Sequence, residues 1–221
     1  LPTHGVLVSY GEIIPKPVLD LFPGGIINLH PSLLPLYRGP SPIEAAILNG
    51  DSQTGVTLMK LSEEMDAGPV YAKKSVILNS NEDQLTLSGK LAAIGAHFLI
   101  EKLHLITSGF LQPVAQDESK ATYTKLLKKT DGKIDWSLPA EIIERQIRAY
   151  LRFPRSRARI SGHEVVITKA RVAASQADGA LVKAAKPGWL EVLELIGPSG
   201  RKMSGADFLR GYGQLKRSEE K

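Results

Sequence analysis

Short apolar segments alternate with helix signals along the first half of the chain. Apolar runs predict β-strands at 5–11, 26–30, 55–61 and 71–78. Helical spacing and terminal signals predict helices at 15–22, 41–50 and 85–107. The first two apolar runs predict buried strands, as in a sheet that is covered on both faces. Strands that alternate with helices predict an α/β domain built on a parallel sheet.

The helix predicted at 41–50 carries the clearest terminal signals. Ser41 suits the N-cap, Pro42 the first helical position and Glu44 the third, which is the pattern of a capping box. Gly50 suits the residue that ends the helix. Local sequence therefore predicts a helix whose start is satisfied by its own side chains.

The pattern changes after residue 112. Polar, lysine-rich sequence at 116–135 predicts a linker, and a helix is predicted at about 139–150. Strands are predicted at 158–160, 164–172, 180–185 and 189–196, with glycine turns between them, Asp178-Gly179 included. Such strands are typical of a small sandwich or barrel. The predicted organisation is a first domain at 1–115, a linker at 116–137 and a second domain at 138–221.

Charge divides the chain near the same place. Residues 1–119 carry 7 Lys and Arg against 12 Asp and Glu, whereas residues 120–221 carry 21 against 11. An acidic half is thus joined to a half with a net charge of +10, within a chain whose total is +5. A basic domain predicts a polyanionic partner, although a solvated basic surface has the same composition.

Composition excludes several classes of protein and of functional site. A hydrophobic fraction of 43% and a charged fraction of 23% are typical of globular proteins. The chain has no cysteine, which excludes disulfide frameworks, thiolate metal sites and cysteine nucleophiles. No apolar run is long enough to cross a bilayer and the start lacks a signal-peptide pattern, so we expect a cytoplasmic protein that does not bind membranes.

Two polar side chains end the apolar run at 26–30. Asn28 and His30 are two positions apart, so they lie on one face of a strand. Ligands bind at the strand ends of open parallel sheets, which favours a functional site here. A histidine that only bonds the backbone at the strand end is the alternative interpretation.

An acidic residue in a glycine-containing loop is the third candidate. Asp66 precedes Ala67-Gly68 after the strand predicted at 55–61. A carboxylate beside an imidazole can relay a proton. A turn aspartate that bonds its own backbone is the commoner explanation of Asp near Gly. From the residues alone, the three side chains indicate a proton-transfer site for an unspecified reaction.

The same residues form a motif. The segment Asn28-Leu-His30-Pro-Ser32-Leu33-Leu34-Pro35, with Arg38-Gly39 and Pro42-Ile43 after it, closely resembles the signature of the 10-formyltetrahydrofolate-dependent formyltransferases, and Met65-Asp66-Ala67-Gly68 is similar to the segment that holds their catalytic aspartate. The resemblance implies a Rossmann-like domain. It also implies an enzyme that takes a formyl group from 10-formyltetrahydrofolate without a metal.

The resemblance also implies roles for these residues. His30 stabilises the oxyanion, Asn28 holds the formyl oxygen, and Asp66 manages the proton that leaves the attacking amine. The folate-contacting loop corresponds to Ser32, Leu33, Leu34 and Pro35, with a cis peptide expected at Leu34-Pro35.

The second half resembles one branch of that family. The segments 129–136, 147–154 and 200–211 are similar to the linker and to the two ends of the C-terminal domain of methionyl-tRNA formyltransferases. That resemblance implies an OB-like barrel that holds tRNA, in a monomeric enzyme acting on initiator methionyl-tRNA. The basic residues expected to contact tRNA are Lys128, Lys129, Lys133, Arg148, Arg152, Arg155 and Arg157.

The chain departs from the family at its start. Family members have βαβ units before the strand predicted at 5–11, so we expect a catalytic domain that is incomplete at its N-terminal side. The sequence does not decide whether such a domain is active. Three alternatives stay open as well: a formyltransferase that acts on a nucleotide amino sugar, a 10-formyltetrahydrofolate hydrolase domain, and a catalytically inactive protein that binds nucleic acid.

Overall fold

The computed structural model of the chain describes residues 2–176 and 180–213. They divide into two units, Leu1–Leu126 and Leu127–Lys221. The sequence predicted a linker at 116–137, and the division falls inside it. The predicted turn at Asp178-Gly179 lies outside the described residues.

The first unit contains a four-stranded sheet in the order β1-β2-β3-β4. Its strands are β1 (His4–Val8), β2 (Gly25–His30), β3 (Gln53–Lys60) and β4 (Val70–Ile77). Its helices are α1 (Lys16–Leu19), α2 (Pro42–Asn49) and α3 (Gln84–Thr107). All four strands and all three helices predicted for this half are present, so the α/β class is confirmed.

The sheet is mixed, and the prediction of a parallel sheet was wrong. Only β1 and β2 run parallel, whereas β2 with β3 and β3 with β4 are antiparallel. Residues 61–69 connect β3 directly to β4. A parallel crossover needs about a dozen residues or more, so this connection suits an antiparallel pair.

The two apolar strands β1 and β2 differ in how deeply they are buried. All six residues of β2 are buried, as predicted. In β1, however, Val6 and Val8 are about half exposed, so the prediction of a buried strand was wrong there. Burial depends on what packs against a strand, which the apolar content of the strand itself does not state.

The side chain and the backbone N–H of the residue before α2 are bonded to a distant segment rather than to the helix. Ser41 precedes the helix, but its hydroxyl donates to the Lys125 carbonyl oxygen at 3.1 Å, and its backbone N–H donates to the Thr124 hydroxyl at 3.1 Å. The predicted capping box is therefore absent. Gly50 ends the helix in left-handed backbone with φ 69°, as expected for a terminating glycine.

The second unit is built on an antiparallel sheet that curls around an apolar core. Its elements are α4 (Ala140–Ala149), β5 (Ser156–Ile160), β6 (His163–Ala173), β7 (Val182–Ala184), β8 (Trp189–Ile196), β9 (Lys202–Ser204) and α5 (Gly205–Tyr212). The order is β5-β6-β8-β7, and β9 also pairs with β8. The predicted β-rich second half is confirmed.

Apolar side chains of α4, the sheet and α5 share the core of this unit. Residues alternate between buried and exposed along β5, which places its apolar side chains inside. Ile143 and Ile147 of α4 pack in the same cluster as Leu190 of β8 and Phe208 of α5. In the part of the chain that the structure describes, no helix is long and apolar enough to cross a membrane.

Candidate active site

The end of β2 carries the first two site residues. Asn28 lies opposite Leu7 of β1 and Met59 of β3, and His30 lies opposite Thr57 of β3. Asn28 is 9% exposed and His30 is 5% exposed. Because β2 is flanked by strands on both sides, its end is a rigid platform for polar groups.

Two neighbours orient the His30 ring. Its Nε2 atom lies 2.9 Å from the Tyr37 carbonyl oxygen. A carbonyl oxygen only accepts hydrogen bonds, so this nitrogen carries a proton and donates it. The Nδ1 atom faces the Asp66 carboxylate, with 3.6 Å to Oδ2. The ring therefore donates at Nδ1 as well only when it carries both protons.

Asp66 is held in a turn that brings its carboxylate to His30. Its φ angle is 51°, in the left-handed region, and its Oδ2 atom accepts the Gly39 backbone N–H at 2.8 Å. A Cβ atom at Gly68 would lie 1.9 Å from the Lys60 carbonyl oxygen. Glycine therefore lets the loop pack against the end of β3, which explains the Asp-Ala-Gly spacing.

Asn28 differs from His30 and Asp66 in its hydrogen bonding. Among the described residues no hydrogen bond is found for its carboxamide, whose atoms are not among the fully buried polar atoms that lack a partner. The carboxamide atoms therefore reach the surface and are available to a ligand. The structure thus brings His30 and Asp66 together and places Asn28 on the same strand, two residues away. The catalytic roles assigned to them stay predictions.

The loop expected to contact folate is bonded to its own unit. The Ser32 hydroxyl donates to Leu36 O at 2.6 Å, and the Leu34 side chain is fully buried beside Met59 and Val70. Lys73 Nζ donates to the Leu34 carbonyl oxygen. The half-buried side chains of the loop are those of Leu33 and Pro35. The Leu34-Pro35 peptide is cis, as predicted.

A surface cleft of about 600 Å³ runs along the loop that holds Asp66. Its walls are formed by α1 and by the loop between β3 and β4, including Lys16, Leu19, Ser62 and Pro69. The residues 32–35 do not line it. Cleft and predicted folate loop are therefore distinct features of the first unit.

Basic side chains gather where the second unit begins. Residues Lys129–Gly132 form a 3₁₀ turn, after which Lys133 bridges to Arg157 at the start of β5. A Cβ atom at Gly132 would lie 2.1 Å from the Arg155 carbonyl oxygen, so the turn packs directly on this segment. Lys128, Lys129, Lys133, Arg152, Arg155 and Arg157 are exposed.

Arg148 differs from the other predicted tRNA contacts. It is half-buried on α4, and its guanidinium bonds both carboxylate oxygens of Glu144, at 2.7 and 2.9 Å. Its charge is therefore partly neutralised within the unit.

The group that surrounds Arg38 was not predictable from the sequence pattern. Gln116, Glu118 and Tyr123, all placed in a linker from their polar composition, bond the Arg38 guanidinium. No periodic pattern marks residues 116–123. The only signal was the Arg38-Gly39 pair within the formyltransferase motif.

Comparisons with known proteins agree across both units. A family described as formyl transferase matches residues 2–103, and one described as formyl transferase, C-terminal domain, matches residues 126–213. The methionyl-tRNA formyltransferase of Roseiflexus castenholzii is 44% identical over 222 residues, which cover 95% of this chain and 71% of that protein.

Two solved structures share the fold. HypX from Aquifex aeolicus in complex with tetrahydrofolic acid has a TM-score of 0.72 at 20% identity, covering 98% of this chain and 39% of that chain. Methionyl-tRNA formyltransferase from Clostridium thermocellum has a TM-score of 0.62 at 19% identity, covering 79% and 74%. Identities this low show only that the fold is shared. The 44% identity to the Roseiflexus protein, over most of both sequences, shows membership of the same family. The chain belongs to the methionyl-tRNA formyltransferase family.

Proposed function

We propose that the chain transfers the formyl group of 10-formyltetrahydrofolate to the amino group of initiator methionyl-tRNA, giving N-formylmethionyl-tRNA for translation initiation in the cytoplasm. The observation that carries this proposal is the buried His30–Asp66 pair beside the unpartnered Asn28 carboxamide. The sequence relationship to methionyl-tRNA formyltransferases indicates that the amine that is formylated is that of methionyl-tRNA.

The three side chains match the needs of amine attack on a formyl group. Negative charge develops on the formyl oxygen, and hydrogen-bond donors fixed in advance stabilise it. His30 donates Nδ1–H to that oxygen only as the doubly protonated imidazolium, because its Nε2–H already donates to the Tyr37 carbonyl oxygen. Asn28 offers its amide N–H groups. Asp66 accepts the proton that leaves the amine, directly or through one water.

The residues present fit a folate as formyl donor. When bound, the folate would supply an activated formyl group, and the accessible Asn28 carboxamide would donate a hydrogen bond to its formyl oxygen. Leu33 and Pro35 present half-buried apolar surface for an aromatic ring. Ser32 and Leu34 act by fixing the loop, since the serine hydroxyl and the leucine side chain are already committed inside the unit.

The second unit supplies the tRNA contacts in this proposal. We assign to it an OB-like barrel that binds tRNA, in a protein that acts as a monomer. Its basic residues neutralise tRNA phosphates; they are Arg148 and the six exposed residues at 128–133 and 152–157. The adjacency of Lys133 and Arg157 across a backbone bridge supports one common surface. Contacts of this kind position the tRNA without reading its sequence.

A formylation assay tests the reaction. The chain is given 10-formyltetrahydrofolate with charged initiator tRNA, with an amino-sugar nucleotide, or with water alone. We expect product with the tRNA only. His30→Ala is expected to reduce the rate about 10²- to 10³-fold, the effect of losing one oxyanion donor. His97→Ala, at an exposed histidine of α3, is the matched control and should retain full activity.

Three results would contradict the proposal. Product with the amino-sugar nucleotide alone would make the chain a sugar formyltransferase, and release of formate with water alone would make it a hydrolase. No product in any arm, with tRNA still bound, would leave a nucleic-acid-binding protein.

A salt titration tests the basic surface. Each phosphate contact contributes a log–log slope of roughly −0.7 to −0.9 to the salt dependence of affinity. Lys128→Ala with Lys129→Ala should weaken tRNA binding and flatten this slope, without a change in folate binding. Lys74→Ala with Lys102→Ala removes the same charge from the first unit and should leave the slope unchanged. Equal slopes for both double variants would exclude the assigned surface.

A further inference from the structure

The guanidinium of Arg38 is the most deeply buried cation of the first unit. Its side chain is 1% exposed, and it follows His30 on the loop that leads to α2. Burying a cation is unfavourable unless hydrogen bonds and an opposite charge compensate. The partners come from residues 116–123, about eighty positions later in the chain.

Glu118 and Gln116 share the two edges of the guanidinium. Glu118 accepts from Nη1 at 2.8 Å and from Nη2 at 2.7 Å, the paired geometry that suits a planar fork. Gln116 Oε1 accepts from Nε at 3.2 Å and from Nη2 at 2.9 Å. Arg38 thus fixes the orientation of the Gln116 carboxamide as well as neutralising Glu118.

The other end of Gln116 reaches the loop of the proposed catalytic aspartate. Its Nε2 atom donates to the Asp66 carbonyl oxygen at 2.7 Å and to the Gly68 carbonyl oxygen at 2.8 Å. A carboxamide is needed for this, because one end must accept from Arg38 while the other donates to two carbonyls.

Asp66 is therefore held at its backbone and at its carboxylate by two segments, which Arg38 connects. Its backbone is bonded to Gln116, which Arg38 orients, and its carboxylate accepts the N–H of Gly39, the residue after Arg38. The Asp66 φ of 51° is unfavourable for a residue with a Cβ atom and persists only where the surroundings enforce it. The two attachments are what enforce it.

We propose that Gln116, oriented by Arg38, is a positioning residue that holds the Asp66 carboxylate against His30. The proposal rests on the proposed function, in which Asp66 accepts the proton of the attacking amine. Among the described residues, Gln116 makes no hydrogen bond to the imidazole, and it acts through the Asp66 backbone.

Gln116→Glu is the sharpest test, because it keeps the size of the side chain and its acceptor for Arg38 but removes both N–H donors. Gln112→Glu is the matched control: Gln112 is exposed, and its amide bonds only the nearby Gly109 carbonyl oxygen at 2.7 Å. Gln116→Met removes the donors without adding charge and serves if the glutamate variant fails to fold.

The first readout does not depend on activity. Amide hydrogen exchange and the NMR shift of the Gly39 N–H report its bond to the Asp66 carboxylate. We expect faster Gly39 exchange and an upfield amide proton in both Gln116 variants, and neither change in Gln112→Glu. A wild-type Gly39 signal in a folded Gln116 variant would overturn the proposal.

The second readout is the formylation rate. We expect kcat to fall about 10- to 100-fold in the Gln116 variants, the scale of a misplaced reacting group, with KM for tRNA and folate unchanged. Lower kcat with an unchanged Gly39 signal, or loss confined to KM, would also refute the positioning role. A wild-type chain without formylation activity would refute the proposed function, and the Gly39 signal would still decide whether Gln116 holds Asp66.

Discussion

Replacement of Arg38 by leucine tests how strongly the first unit depends on one buried cation. The guanidinium donates five hydrogen bonds, to Gln116, Glu118 and Tyr123. Its hydrogen bond to Glu118 raises the pKa of Arg38 further above an already high value, so the side chain is charged wherever the protein is folded. Leucine keeps an apolar stem and removes all five bonds.

The expected loss follows from how well each partner reaches water afterwards. Glu118 and Tyr123 are 65% and 66% exposed, so both rehydrate once the guanidinium is gone. Gln116 is half-buried, and an acceptor left without a donor costs about 1–3 kcal/mol. The lost charge-assisted bonds add to this cost and the relieved desolvation of arginine reduces it, which gives about 2–4 kcal/mol. This is less than the roughly 3–5 kcal/mol for breaking a fully buried ion pair, because Glu118 is exposed.

The measurement must distinguish unfolding of the first unit from unfolding of the second. Both tryptophans, Trp136 and Trp189, lie in the second unit, so their fluorescence follows that unit during urea unfolding. Hydrogen exchange of the β2 and β3 amides follows the first unit. We expect the opening free energy of these strands to fall by about 2–4 kcal/mol.

Arg159→Leu provides the control for this measurement. Arg159 is exposed in the second unit and bonds only the Gly162 carbonyl oxygen through Nε, so the change should stay within about 0.5 kcal/mol. A loss of less than about 1 kcal/mol in the first unit on Arg38→Leu would show that residues 116–123 are held by something other than the guanidinium.

Three further substitutions test the packing of two glycines and the charge of Glu118. Gly132→Ala places a Cβ atom 2.1 Å from the Arg155 carbonyl oxygen and should destabilise the second unit by about 1–3 kcal/mol in a urea melt followed by fluorescence. Gly211→Ala, where no atom of the described residues lies within 4 Å, should be neutral or stabilise by up to about 1 kcal/mol; equal midpoints for the two variants would show that the close contact at Gly132 has no cost. The hydrogen bond from Arg38 lowers the pKa of Glu118 below its ordinary value of 4.5. Stability from this carboxylate is therefore complete above that value and is lost as the pH falls through the lowered folded-state pKa. The stability difference between wild type and Glu118→Gln should be constant above about pH 5 and shrink as the pH falls below 4.5, whereas a difference independent of pH would show that the charge of Glu118 does not contribute.

The sequence by itself determined the local elements and one face of the site. Asn28 and His30 share a strand face because side chains alternate along a strand, whatever the strand packs against. The alternation of β5 and the glycine-ended helix α2 were predictable for the same reason: a period or a terminal signal is contained within a few adjacent residues. The charge difference between the two halves also needed only counting.

Tertiary structure alone decided what distant segments supply. Ser41 has the residue type of a helix cap, yet its hydroxyl bonds Lys125 O, because that carbonyl lies within reach only after the chain has folded. The direction of β3 and β4, the half-exposed face of β1, and the 3.6 Å approach of Asp66 to His30 likewise depend on which backbones meet. The bond between Arg38 and Gln116 joins residues 78 positions apart. Hydrogen bonds over such separations leave no periodic pattern in the sequence, since either partner alone has the same local preferences as any surface arginine or glutamine.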